Sequence, residues 1–159
     1  MSVDRKARDE IRQALVSYMT GEIRSFEFDD RVSRFHRAKA TDDDSVRQIS
    51  RELWRVYDDL IDHPISITHE GWLALRRTIA FLNTDLDIEG TADKDAWPFR
   101  AQDEWLRHEY LLKEGDLPQF DTAIHSRPVH PWWNRIPTTV GIGILLGLLI
   151  FIFVLILRS

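Results

Sequence analysis

A chain of 159 residues, 43% hydrophobic and 30% charged, is long enough for one compact domain with a single core. Its net charge of −5 argues against a broad nucleic-acid or anionic-lipid face, and the absence of cysteine excludes disulfides, thiol catalysis and cysteine-ligated metals. Of its 26 acidic and 21 basic side chains only Arg158 lies beyond residue 136, so the rest of the chain is mildly acidic and compatible with a basic protein partner.

Residues 3 to 19 place Ile11, Ala14, Leu15 and Tyr18 on one helical stripe and Arg5, Arg8 and Arg12 on another, which predicts a first helix stopped at Gly21. Because Asp4, Asp9 and Glu10 are interspersed with the arginines, that second stripe reads as a solvated face. Ser25 can cap a second helix carrying Phe28, Val32 and Phe35, with Arg31, Arg34, Arg37 and Lys39 turned outward. Thr41 and Asp44 have capping-box-like spacing, and the acids 42 to 44 suit the positive end of a helix dipole. Behind them Val46, Ile49, Leu53, Val56 and Leu60 recur at three- and four-residue steps, predicting a third helix as far as Asp62. Thr68 can cap a fourth, with Trp72, Leu75, Ile79 and Leu82 on its core face. A shorter fifth helix is expected in residues 101 to 115, bearing Trp105, Leu106 and Leu112 and ending at Gly115. The expected fold class is all-α: a small bundle of about five helices over residues 1–115, since isolated amphipathic segments of this length are marginal in water.

Residues 116–136 contain Pro118, Pro128 and Pro131 with little periodicity, and read as a Pro-rich juxtamembrane tether. Residues 137–157, PTTVGIGILLGLLIFIFVLIL, carry no charge, and fifteen of them are Leu, Ile, Val or Phe. At about 1.5 Å per residue they span about 31 Å, the thickness of a hydrocarbon core, and the fifteen large side chains favour insertion by about 5 to 9 kcal/mol. They predict a single transmembrane helix. The N-terminal stretch has no apolar signal region, so the expected arrangement is a tail-anchored protein with its helical domain cytoplasmic. Trp132, Trp133 and Arg135 would mark the cytoplasmic interface. Thr139, Gly143 and Gly147, spaced by four, would let two such helices pack closely as a homodimer.

Six histidines, at 36, 63, 69, 108, 125 and 130, include no i, i+4 pair and no HExxH arrangement, and no phosphate-cradling glycine loop or nucleophile elbow is present. No cofactor, no metal and no catalytic residue is expected. The nearest thing to a reactive cluster is His63 and His69 close to Asp58, Asp59 and Asp62, which keeps a carboxylate- and histidine-dependent hydrolase as an alternative. Those three acids also bear on binding. Near the C-terminus of the predicted third helix the macrodipole disfavours each carboxylate by about 0.3 to 1 kcal/mol, so a basic protein partner is the expected reason for them.

The stretch YMTGEIRSFEFDDRVSRF (18–35) resembles the opening of small helical colicin-D-type immunity proteins, where a helix ends in a Gly-Glu-Ile-like turn and the next begins with a buried Phe. RELWRVYDDLIDH (51–63), WLALRRTIAFLNTDLDIE (72–89) and WPF (97–99) look like segments of small bacterial helical proteins. The resemblance spans about the first 110 residues and omits the apolar run. It implies an inhibitor that binds a basic toxin nuclease through acidic surface residues, here Asp58, Asp59 and Asp62. The expected function is thus protein binding by a membrane-anchored helical domain, as an immunity-like inhibitor or a localising scaffold. A small structural subunit of a membrane complex is the other non-enzymatic alternative.

Overall fold

The computed structural model describes residues 2–37, 40–57, 61–88, 95–112, 117 and 119–121. The chain divides into two units, Met1–Pro128 and Val129–Ser159, of which the second lies wholly outside the described residues. So do Asp58, Asp59, Trp132, Trp133, Arg135, Thr139, Gly143, Gly147 and the apolar run 137–157. No helix among the described residues is long and apolar enough to cross a membrane.

The first unit is all-α, with no strand among its described residues. Helix α1 is Arg5–Met19, α2 is Ser25–Val32, α3 is Asp44–Leu53, α4 is His69–Leu82 and α5 is Gln102–His108. Short 3-10 turns extend α2 over Ser33–His36, α3 over Trp54–Val56 and α5 over Glu109–Leu111. One hydrophobic core joins them. The α1 stripe Ile11, Ala14, Leu15 and Tyr18 and the α4 stripe Trp72, Leu75, Ile79 and Leu82 are all buried, as the spacing predicts. Gly21 stops α1 with φ at +78°, a left-handed conformation that costs glycine nothing.

Three expectations for α3 and α5 are corrected, and a fourth, at Arg8 of α1, below. The third helix is shorter than its periodicity suggests: it loses α geometry after Leu53, and Tyr57 is already extended. The residues that follow are engaged by α2 instead, as described below. Its cap is Asp43, whose carboxylate accepts from the Val46 N–H at 3.2 Å, and not Thr41. Finally, Leu106 is 57% exposed while its neighbour Trp105 is buried. Successive helical residues point about 100° apart, so a two-turn helix that packs Trp105 against Phe99 cannot bury both.

The N-termini of α1 and α3 are locked together. Asp4 caps α1 through the Ala7 N–H at 3.0 Å, accepts from the Thr41 hydroxyl at 2.9 Å, and donates its own N–H to Asp43 at 3.1 Å. Two positive dipole ends are thereby held near two carboxylates. Between them lies Arg8, which is fully buried and not on a solvated face. Its Nε donates to Asp43 at 2.7 Å, and its Nη1 reaches the carbonyls of Thr84 and Leu86, both at 2.8 Å. Arg5 adds a bond to Thr84 O at 3.0 Å and one to Leu82 O, so two arginines of α1 satisfy carbonyls left open where α4 ends.

At the other end of the chain's first unit, packing extends past α5. Leu117 and Phe120 both lie against the core, with the Phe120 ring 5.8 Å from Trp72 and 5.1 Å from His69. Leu117 and Phe120 thus belong to the packed residues of this unit.

Candidate functional site

Of the three acids expected to meet a partner, Asp62 lies among the described residues. It sits in the irregular segment between α3 and α4, where that segment passes the start of α2. Arg24, at the N-cap position of α2, makes no local capping bond. Asp62 supplies the cap from 36 positions away: its Oδ1 accepts from the Phe26 N–H at 3.2 Å. Its Oδ2 accepts from Arg24 Nε at 2.5 Å, and Arg24 Nη2 donates to the Asp62 carbonyl at 2.7 Å.

Ser25 fastens the same crossing from its centre. Its N–H donates to His63 O at 3.0 Å, and its hydroxyl accepts from the His63 N–H at 3.0 Å. The single hydroxyl proton faces both Ile61 O at 3.2 Å and Asp62 Oδ1 at 3.4 Å. Five residues before Asp62, Tyr57 ties the chain to α2 a second time, its hydroxyl donating to Asp29 and its ring meeting Phe28 edge-on at 5.5 Å. Phe28 in turn stacks on Tyr18 at 4.7 Å. The buried Tyr18 hydroxyl has no hydrogen-bond partner among the described residues, and burial, aided by the Asp62 charge, pushes its pKa up.

Asp62 is thus more occupied than its place in the sequence implies. Partial loss of solvent would raise its pKa, and that is the largest single influence. The Phe26 N–H, Arg24 and Ser25 together outweigh it and hold the carboxyl below the usual range. The favourable end of the α2 dipole acts in the same sense, so a helix does explain this acid, but it is the start of α2 and not the end of α3. What remains exposed around it is the Phe26 ring, at 46%, and the outer edge of the Arg24–Asp62 pair.

The buried His63 ring places Nδ1 2.7 Å from the Pro64 carbonyl, which requires a proton there, and His69 packs on Phe120 at the start of α4. Among the described residues no three metal-capable side chains come together.

The buried pair of Arg8 with Asp43 lies outside the solvated-face expectation. A signal existed: Arg8 stands three residues before Ile11 and seven before Leu15, on the buried stripe itself. Burial would raise the Asp43 pKa, but its bonds from Arg8 and from the N–H groups of Asp4 and Val46 prevail and lower it. Arg8 is spent on structure. Its Nε and both terminal nitrogens are bonded, which leaves little for a ligand.

An acid-sensitivity follows from the two depressed carboxyls. Asp43 and Asp62 bind protons more weakly in the folded chain than in the unfolded one, where the pKa is about 3.9. Their stabilisation is therefore complete above about pH 4 to 5 and is lost as pH falls through the folded values. Urea unfolding of the full chain at a series of pH values should show this decline. Asp62→Asn should be less stable at neutral pH and lose less on acidification than the unmodified chain; parallel pH profiles would exclude Asp62 as a contributor.

Comparison of the chain with known protein families, curated proteins and solved structures finds no match.

Proposed function

We propose that this chain is a membrane-anchored protein whose cytoplasmic helical domain binds another protein, as an immunity-like inhibitor or a localising scaffold. The anchor is the apolar run 137–157, with Trp132, Trp133 and Arg135 at the headgroup level and residues 116–136 as the tether. The observation that carries the binding reading is Phe26. Phe26, 46% exposed, stands on backbone held by the bond from its own N–H to Asp62, and an exposed aromatic on a fixed helix start supports an interface reading. Arg24 neutralises Asp62 locally, so attraction of a basic partner falls chiefly to Asp58 and Asp59.

Two measurements test this. Protease added outside intact spheroplasts should leave the domain uncut; its digestion would reverse the orientation. With the partner recovered by co-purification, Phe26→Ala should speed dissociation about tenfold or more, as loss of a hot-spot aromatic does. Asp58→Asn with Asp59→Asn should slow association at low salt and have little effect at high salt. Kinetics unchanged in both variants would remove this surface. The spacing of Thr139, Gly143 and Gly147 favours a second reading, a small subunit of a membrane complex in which the span makes the contacts.

A further inference from the structure

We infer that the cleft between α1, α4 and the segment following α5 is a binding site for a small amphipathic carboxylate. The cavity is about 410 Å³, within the range of small-molecule sites. Val16, Ile79, Leu112 and Leu117 give it an apolar wall, and Arg12 and Asn83 give it a polar one. Arg12 is the cation of this lining, and Asn83 Nδ2, with one hydrogen on the Ile79 carbonyl at 3.1 Å, keeps a second.

Arg12 is unusual among the arginines of this domain. Arg24, Arg31 and Arg34 each put a guanidinium nitrogen directly on a carboxylate, and Arg8 is saturated. The Arg12 Nε, by contrast, is buried and makes no hydrogen bond, its ion-pair contact with Asp9 being long at 3.5 Å. Unsatisfied buried donors in a native structure call for an acceptor. A carboxylate head on an aliphatic or aromatic body supplies one while filling the apolar wall. The nearby Asp9 carboxylate disfavours a second negative charge, which selects a monoanion over a phosphate dianion.

The test uses the full chain in phosphatidylcholine nanodiscs, titrated with 4-phenylbutyrate by calorimetry against empty discs. Saturable one-to-one binding is expected. Two comparisons should each weaken it about tenfold or more: 4-phenylbutanol, which keeps the body and lacks the charge, and Arg12→Gln, which keeps a neutral donor near the Nε position and lacks the cation. Phenylbutyrate should also raise the melting temperature of the unmodified chain and not that of the variant. Heats no different from empty discs, or phenylbutanol binding as tightly as phenylbutyrate, would overturn the site. The alcohol comparison is made on the unmodified chain, so it decides the matter even if Arg12→Gln fails to fold.

Discussion

Arg8→Ala should destabilise the domain by about 3 to 5 kcal/mol, read as a fall in the urea midpoint with little change in slope. The size comes from what is left behind and not from the worth of the ion pair. A buried pair is near break-even against apolar residues of similar volume, because the attraction is offset by desolvating both charges. Removing one partner leaves the Asp43 carboxylate, 1% exposed, facing the N–H groups of Asp4 and Val46 alone. It also strips the Thr84 and Leu86 carbonyls of their donor. The double variant Arg8→Met, Asp43→Leu should recover part of the loss. Recovery cannot be complete, because Asp43 also caps α3, and a lost cap costs about 1 kcal/mol. If Arg8→Ala cost under about 1 kcal/mol, the buried network would be a minor contributor to stability.

Phe81→Ala should cost about 3 to 5 kcal/mol by removing a large side chain from a core too close-packed to refill the space. Phe81 is 1% exposed and meets Phe99 edge-on at 5.4 Å; Phe99 in turn packs on Trp105, which carries α5. Loss of the ring should therefore loosen α5 preferentially, visible as faster amide exchange in residues 102–108 than in α1. The Arg8 guanidinium lies over the Phe81 ring at 5.5 Å, so the two substitutions share a contact. Combined, they should cost less than their sum by about 0.5 kcal/mol or more. Strict additivity would mean the cation above the ring contributes nothing.

The sequence was legible where one helix face meets the core and nothing else competes. The α1 and α4 stripes obey the helical period because each helix buries one side, and Thr68 caps α4 within its own turn. What was hidden depends on partners distant in the chain. The period of the third helix continues through Val56 toward Leu60, yet the backbone leaves the helix because Tyr57 and Asp62 are taken by α2. Asp62 reads as an acid without local purpose, since the N–H it caps is 36 positions earlier. Arg8 is hidden in the sequence because an arginine is mostly a solvated residue, and its burial here is made tolerable by Asp43, by two carbonyls near residue 85 and by Asp87 at 3.6 Å. The apolar run 137–157, proposed above as an anchor, and the acids Asp58 and Asp59 lie outside the described residues.

The interlocked start of α1 and α3 bears on the order of folding. Thr41, Asp43 and the turn at Thr84 to Leu86 approach Asp4 and Arg8 from 35 to 78 positions along the chain. Closing a loop of that length costs on the order of 3 kcal/mol in chain entropy, and the buried charges gain nothing until all three segments have arrived. Such a junction belongs after the transition state, once α1 and α4 have met through their apolar stripes. Weakening it then accelerates unfolding and leaves the folding rate nearly unchanged. Arg8 governs how long the domain persists once formed, and the apolar stripes govern how quickly it forms.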